Sequence, residues 1–364
     1  MQREIGSNFW INPHEYLTEN PLKSPVQFGC DGSDYVWLST GRSAIRFVIK
    51  TIEERGLSYG KSVILPPFTC HTVIEPFLEA GYDIHYYPIN DSLQTSKKEI
   101  LSCVDLHRAS IVLYHRYYGF DTLPDINKAC IELRTRNVFT IEDCTQCLYS
   151  CFEKSDADFF VGSIRKWTGT PDGGFAVCRN GKFDGKPTLT DIALEKAKIE
   201  ASYSKYRYLF ENIGDKSDFL KSYRNAEDIL AAQKNYYLIA CTSRLIQSNL
   251  NIGELKRIRK TNYQYLLDNI SPTALFHPLY AKIENEVVPL YFPIIVEDRA
   301  PLQSYLAHHS IYAPVVWPKA ESIGEICREA EHIYEHLLCI PIDQRYDDLD
   351  MERIANTINN FNKQ

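Results

Sequence analysis

Residues 158–177 place one amine where a chain can use it. The apolar stretch Phe159-Phe160-Val161 ends in Gly162-Ser163, and Lys166 follows three residues later. Pro171-Asp172-Gly173-Gly174 then leads into a second apolar stretch, Phe175-Ala176-Val177. The pattern predicts strand, tight excursion, strand, with a lysine held at the excursion. Such an amine forms a Schiff base when it is partly desolvated or beside another cation, and Arg165 is its neighbour. A solvated loop lysine would read the same way from this stretch alone. Asp143 closes another strand-like run, residues 137–142 (NVFTIE); a carboxylate there either caps the next helix or faces a ligand. Ser39-Thr40-Gly41-Arg42-Ser43 opens a helical pattern. Hydroxyls and a glycine at a helix start serve as a plain cap or as a cradle for an anion.

These groups need a scaffold that brings them together. Residues 1–34 are rich in Pro, Asn, Gly and Ser, and are expected to be irregular and to wrap over the body. Strands are predicted at 35–38, 62–67, 83–89, 110–115 and 137–142. Helices are predicted from the start at 39–43 to Gly56 (Ile45, Val48, Ile49 and Ile52 on one face), and at 72–80, 97–104 and 123–134. This βαβα alternation implies an α/β fold, with a mostly parallel sheet covered by helices on both faces and ligands beyond the carboxyl ends of its strands. Residues 68–71, 114–119, 143–146 and 163–166 all fall at such ends.

The charged, tyrosine-rich stretch 180–225 reads as helices with loops, 225–249 as one long helix, and 252–268 as another. Strands at 287–296 and 311–316 with helices at 302–308 and 350–360 suggest a smaller α+β domain. The expected division is a large domain over 1–249 and a small C-terminal domain over 250–364.

The 364 residues carry 40 Lys+Arg against 47 Asp+Glu, a net charge of −7, which leaves no electrostatic footprint for nucleic acid. With 24 tyrosines and 17 phenylalanines, disorder is not expected. The 11 cysteines, an odd number scattered over a long chain, suggest reduced thiols and a cytoplasmic protein. Neither a signal-peptide pattern nor a run of about 18 apolar residues is present, so no membrane contact is expected. Cys144-x-x-Cys147 with Cys151 lacks a second suitably spaced Cys or His pair, and no metal is expected.

An acid, a lysine and an anion cradle around one cleft suit an aromatic cofactor that carries both an aldehyde and a phosphate. Pyridoxal 5′-phosphate (PLP) is that molecule. Lys166 would carry it covalently, Asp143 would keep its ring nitrogen protonated, and the helix start at residues 41–43 would hold its phosphate.

Several stretches resemble the DegT/DnrJ/EryC1/StrS family of PLP-dependent sugar aminotransferases. They are Thr40-Gly41-Arg42-Ser43-Ala44-Ile45, residues 63–69 (VILPPFT), Ile141-Glu142-Asp143-Cys144-Thr145-Gln146, and Ser163-Ile164-Arg165-Lys166 followed by Pro171-Asp172-Gly173-Gly174-Phe175. Residues 288–293 (VPLYFP) and 340–346 (IPIDQRY) resemble one branch of the family. The resemblance implies a fold type I transferase with a seven-stranded sheet, working as a homodimer. It implies Lys166 as Schiff-base lysine and proton shuttle, Asp143 at the pyridine nitrogen, Gln146 near the ring hydroxyl, and Gly41, Arg42, Ser43 and Ser163 around the phosphate. The implied reaction moves an amino group from an amino acid, glutamate by expectation, to a keto sugar that is nucleotide-linked. Surface polysaccharide or secondary-metabolite synthesis is the implied setting.

The chain also departs from the family pattern. Arg42 stands where the family has a phosphate-binding Thr. Cys70 stands where it stacks an aromatic ring on the cofactor, which would pass that role to His71 or Phe68. No counterpart of the G-x-N-x-R-M segment, through which a second subunit reaches the phosphate, is present. Two alternatives remain: a sugar dehydratase, whose family members carry His at the lysine position, and a catalytically silent binding subunit, which would have lost Lys166 or Asp143.

Overall fold

The architecture was obtained as a computed structural model that describes residues 4–11, 33–153, 155–273 and 275–361. Part of the N-terminal stretch is regular. Its strand β1 (Ile5–Gly6) belongs to a two-stranded sheet described below. Residues 12–32, also expected to be irregular, lie outside the described residues.

Seven strands then build the central sheet: β2 (Asp34–Leu38), β3 (Ser62–Leu65), β4 (Asp83–Tyr86), β5 (Ile111–His115), β6 (Phe139–Asp143), β7 (Phe159–Ser163) and β8 (Gly174–Cys178). Their order is β2-β8-β7-β6-β5-β3-β4. All neighbouring pairs are parallel except those made by β8, which runs antiparallel to both β7 and β2. Every residue of β3, β5, β7 and β8 is buried. Such apolar, non-alternating strands belong to a sheet covered on both faces.

The crossovers are α1 (Gly41–Arg55), α2 (His71–Glu79), α3 (Lys97–His107) and α4 (Ile126–Thr135). In α1 the predicted face, Ile45, Val48, Ile49 and Ile52, is buried together with Ala44 and Phe47. Each such side chain contributes about 1.5–3 kcal/mol when fully removed from water.

Next come α5 (Ile192–Tyr206), extended by a π turn at Arg207–Glu211, and α6 (Lys216–Ala231). The long helix expected over 225–249 is broken: α6 ends at Ala231 and α7 (Cys241–Asn249) begins ten residues later. The reason is tertiary. Residues 232–240 run along the edge strand β2, where Ser39 N–H donates to Tyr237 O at 2.9 Å and Leu238 bridges both Leu38 and Thr190. Arg42 and Arg46 donate to the carbonyls of Leu230 and Gln233, which caps the end of α6 with cations. Covering an open sheet edge outweighs continuing a helix.

The C-terminal part contains α8 (Ile252–Asn269), α9 (Arg299–His308), α10 (Arg328–His336) and α11 (Asp348–Phe361). A small antiparallel sheet holds β9 (Phe276–Pro278), β10 (Phe292–Val296) and β12 (Leu337–Ile340), in the order β12-β10-β9. The strand expected over 287–296 is limited to β10, and that over 311–316 to β11 (Ile311–Tyr312), which Pro314 closes. β11 pairs in parallel with β1, so the first strand of the chain is stitched to its C-terminal part. Gly6 N–H donates to the Tyr346 hydroxyl at 2.7 Å, and the Arg345 guanidinium lies 4.0 Å over the Phe9 ring.

Candidate active site

Four carboxyl ends meet along one rim of the central sheet, in the strand order β7, β6, β5, β3. Register aligns them: His115 pairs with Asp143, and Asp143 with Val161. Neighbouring strands lie about 4.8 Å apart, so these residues stand side by side. Two residues beyond Val161 is Ser163, and a single 3-10 turn, Ile164–Lys166, then carries the lysine.

The lysine turn is fixed to the Asp143 loop by its neighbour. Trp167 is wholly buried, and its indole N–H donates to the Thr145 carbonyl at 2.7 Å. Gln344 holds the Trp167 carbonyl from below, also at 2.7 Å. The turn and loop are thus one rigid piece.

Gly173 and Gly174 explain the Pro-Asp-Gly-Gly sequence. Gly173 has φ +132°, a region L side chains rarely adopt, and its N–H donates to Ser39 O at 2.6 Å. A Cβ on Gly174 would sit 2.2 Å from the Thr40 carbonyl. The second glycine therefore allows β8 to press against the start of α1. Asp172 is buried and accepts from Ala240 N–H at 3.0 Å and from the Ser243 hydroxyl at 2.6 Å. Burial pushes its carboxyl up to about 7, against opposing hydrogen bonds.

At the start of α1, Thr40 Oγ1 accepts from Ser43 N–H at 3.0 Å and donates to Ser43 Oγ at 2.9 Å. Ser43 keeps its own hydroxyl proton for an outside acceptor. Gly41 packs on Ser163, where an added Cβ would lie 3.5 Å from Ser163 Cβ. The Ser163 hydroxyl itself donates to Gly173 O at 3.0 Å. Arg42 is placed differently from its expected phosphate role. Its guanidinium binds Glu75 at 2.7 Å and Leu230 O at 2.9 Å. An anion at this helix start would meet backbone N–H groups, the helix dipole and Ser43.

Asp143 is 6% exposed. Its Oδ1 accepts from Thr145 N–H at 2.9 Å, and its Oδ2 lies 3.6 Å from His115 Nδ1. On its far side the His115 Nε2 is 2.6 Å from Thr69 Oγ1. Burial lowers the His115 pKa more than the Asp143 carboxylate raises it, which keeps the imidazole neutral near pH 7. Trp317 lies against this ring, 5.6 Å between centroids. Gln146 is buried and accepts from Tyr118 N–H at 2.8 Å through Oε1. Tyr118 has φ +54°, so its amide is turned toward that glutamine by a strained turn.

Lys166 opens to a cleft yet is surrounded by protein on its other sides. That surrounding mass lowers its pKa, with the Arg165 charge adding to the effect and Cys70 and Glu227 opposing it. Glu227 in turn binds Arg165 at 2.9 Å and also Lys198. Burial lowers Lys198 to about 8, with Arg165 adding to the shift. The interaction with Cys70 places that side chain, rather than His71, in electrostatic reach of the amine. His71 is exposed, and its Nδ1 is 3.1 Å from Ser322 Oγ.

A cavity of about 280 Å³ opens beside Lys166. Its walls come from the N-terminal residues 6–9, from α5 and α6, and from Asp343 and Arg345. Asp143, Gln146, Ser163 and the α1 start do not line it. Lys166 lines this cavity, whereas those strand-end residues do not. His115 and Trp167 join the site without having been singled out from sequence. A histidine ending a buried strand was visible, but its register with Asp143 was not.

Glu142, Cys144 and Cys147 bring three possible ligand atoms within 4.8 Å of one another behind the site. Glu142 is engaged by Arg116 at 3.4 Å and by Ser155, and burial pushes the Cys144 thiol well up.

No protein-family profile and no curated protein matches the sequence. Solved structures do match. Spr1654 from Streptococcus pneumoniae, in its PLP form, aligns at a TM-score of 0.68 and 14% identity over 99% of both chains. Helicobacter pylori PseC, an aminotransferase involved in the biosynthesis of pseudoaminic acid, aligns at 0.66 and 14% identity over 98% of both chains. A DegT DnrJ EryC1 StrS aminotransferase from Brucella abortus aligns at 0.64 and 14% identity, over 91% of this chain and 86% of its own. This chain has their fold. The motifs quoted above around Thr69, Asp143 and Ser163–Gly174 lie at strand ends of its mostly parallel central sheet, and those at 288–293 and 340–346 lie beside the small sheet.

The residues were tested against the demands of PLP. The α1 start offers a cradle for a phosphate, closed from behind by the Gly174 contact. Asp143 offers a carboxylate backed by a neutral histidine, and Lys166 an amine of lowered pKa. Each of these groups is present at a strand or helix end, and the Arg42 guanidinium is engaged by Glu75.

Proposed function

We infer that the chain is a PLP-dependent aminotransferase that moves an amino group from an amino acid, with glutamate as donor, to a keto sugar carried on a nucleotide. The observation that carries the reading is the row formed by His115, Asp143 and Val161 in register, with the depressed Lys166 amine tied to that row through Trp167. The shared fold with aminotransferases over nearly the full length of both chains supports it. A homodimer, a cytoplasmic setting and a division into domains near Asn249 belong to the same proposal.

When bound, PLP supplies an electron sink for negative charge at the substrate carbon. The chain's own residues do the rest. With the Thr69 hydroxyl donating to Nε2, the His115 proton sits on Nδ1 and faces Asp143. Asp143, so oriented, would face the ring nitrogen of the cofactor. Lys166 Nζ would hold the cofactor's aldehyde carbon, and the free amine would serve as the group that takes and returns a proton. A lowered pKa leaves more of the amine neutral near pH 7, as proton abstraction requires. The Ser43 hydroxyl and the N–H groups at the start of α1 would hold the phosphate, and Gln146 would lie near the ring hydroxyl.

The test is spectroscopic. Protein supplied with PLP should absorb in the visible and become permanently labelled on borohydride reduction, whereas Lys166→Ala should not be labelled. Labelling of the variant at the wild-type level refutes the lysine assignment. A panel of nucleotide-linked 3-keto and 4-keto sugars with glutamate, read by mass, identifies the acceptor. Transfer to none of them overturns the sugar reading.

A further inference from the structure

Two histidines stand one turn apart on α10. Residues 332–336 read His-Ile-Tyr-Glu-His, which sets His332 and His336 on one face of the helix. Histidines at this spacing can share a zinc ion. Here the ring centroids are 4.3 Å apart and the planes are inclined by 59°. Two imidazoles on one tetrahedral ion have centroids about 5 Å apart, because each metal–nitrogen bond is about 2.0–2.1 Å. A metal lies in the plane of every ring that binds it, so inclined rings can share an ion and parallel rings cannot. His85 and His107 give the contrast: stacked at 3.7 Å and 13°, they offer no common point.

The fold has already chosen the tautomer of His336. Its Nδ1 is 2.8 Å from the Val296 carbonyl at the end of β10. A carbonyl only accepts, so Nδ1 carries a proton and donates it. The neutral ring then offers a lone pair at Nε2, which is how a metal-binding histidine is oriented. Glu335 Oε2 lies 3.9 Å from that Nε2. Two electron pairs that face each other call for a cation between them. A proton serves two atoms; with His332 on the same face there are three, and three donors suit a metal ion.

The surroundings favour positive charge. A cavity of about 820 Å³ beside the pair is lined by His277 from β9 and by Asp91, Glu329, Glu331 and Glu335, against Arg328 as the cation of its lining. Glu331 is bound to Lys319 at 2.5 Å, which leaves three carboxylates facing one guanidinium.

We propose that His332, Glu335 and His336 form a binding site for a divalent transition-metal ion of the zinc type, with water completing its shell. Imidazole and carboxylate donors together suit zinc and its neighbours better than magnesium or calcium. His336 stays fixed on Val296, and the exposed side chains of His332 and Glu335 rotate to close on the ion. The ion fastens the last turn of α10. On its buried side the same helix carries Tyr334, whose hydroxyl accepts from Thr69 N–H at 2.9 Å and donates to Thr69 O at 3.0 Å. Thr69 in turn meets His115 beside Asp143, so the ion would brace that row from outside.

The test is titration calorimetry of the full chain with Zn2+, after the exposed thiols of Cys151 and Cys241 have been alkylated. His332→Gln and Glu335→Gln change exposed side chains and should fold as the wild type, yet each should weaken Zn2+ binding about 10-fold or more. His85→Gln, taken from the stacked pair, should bind as the wild type does. Bound Zn2+ should also shield His332 from carbethoxylation by diethyl pyrocarbonate, read by peptide mass. A wild type that binds no Zn2+, or wild-type affinity in His332→Gln or Glu335→Gln, overturns the site. So does loss of binding in His85→Gln, or carbethoxylation of His332 at a rate that Zn2+ does not change. None of these readouts involves PLP, so the site stands or falls apart from the transaminase reading.

Discussion

Gly174→Ala should damage both the fold and the cofactor cradle, and the structure sets the scale. The new Cβ would lie 2.2 Å from Thr40 C, 2.2 Å from Thr40 O and 2.6 Å from Gly41 N. Ordinary contact begins at 3.4 Å, so the first overlap is 3.4 − 2.2 = 1.2 Å. All three atoms belong to the backbone at the start of α1, and no rotamer change relieves them. Nor can β8 drift, because Gly174 pairs with Leu38 on one side and Ser163 on the other. Overpacking typically costs about 1–3 kcal/mol, and a clash against paired backbone on both sides belongs at the top of that range, about 3 kcal/mol. The midpoint of urea denaturation measures it, provided the slope is unchanged. The same displacement moves Gly41 away from Ser163, so PLP should be lost on dialysis faster than from the wild type. Gly253→Ala is the control: its Cβ would meet only Asn251 Oδ1, at 3.5 Å, and should be neutral or slightly stabilising. A Gly174→Ala protein within about 0.5 kcal/mol of wild type that retains PLP equally refutes the close-approach argument.

Two further outcomes follow from the same geometry. The Asp172 carboxyl, ordinarily at 3.8, is held at about 7 in the fold. Between those values the folded chain binds more protons than the unfolded chain, so stability falls as pH rises from 4 to 7, by about 4 kcal/mol at about 1.36 kcal/mol per unit. Asp172→Asn keeps an acceptor for Ala240 N–H and should flatten that slope in denaturation curves across this window; an unaltered slope shows that another group is responsible. Trp167→Phe strips the Thr145 carbonyl of its 2.7 Å donor and should cost about 1–2 kcal/mol in urea while loosening PLP retention. Unchanged retention would separate the lysine turn from the Asp143 loop.

Much of the site could be read in the sequence because strand ends are local features. Apolar runs of strand length, each followed by a chemically able residue, located Asp143, Ser163 and Lys166 on the correct rim. What escaped depends on partners far along the chain. His115 became part of the site through register with β6, which no single strand reveals. Arg42 looked like a phosphate ligand from its place at a helix start, yet Glu75 and Leu230, 33 and 188 residues onward, take its guanidinium. The break at 232–240 was hidden because Tyr236, Leu238 and Ile239 continue an apolar helical pattern; only the exposed edge of β2 shows why they leave it. Arg259, too, reads as an ordinary cation of an amphipathic helix until the fold buries it completely.

The pairing of Ile5 with Ile311 and the bond from Gly6 to the Tyr346 hydroxyl mean that the two extremities of the described chain close the same chamber. During synthesis the central sheet can assemble as soon as Cys178 has left the ribosome, whereas the wall made by Gly6, Ser7 and Asn8 gains its fastenings later, from Lys205 to the Asn8 carbonyl, from the pairing with Ile311 and Tyr312, and last from Tyr346. A nascent or truncated polypeptide lacking the last few dozen residues would lack the Tyr346 anchor of that wall. The cavity beside Lys166 thus takes its shape only after Pro341, Asp343 and Arg345 have been made.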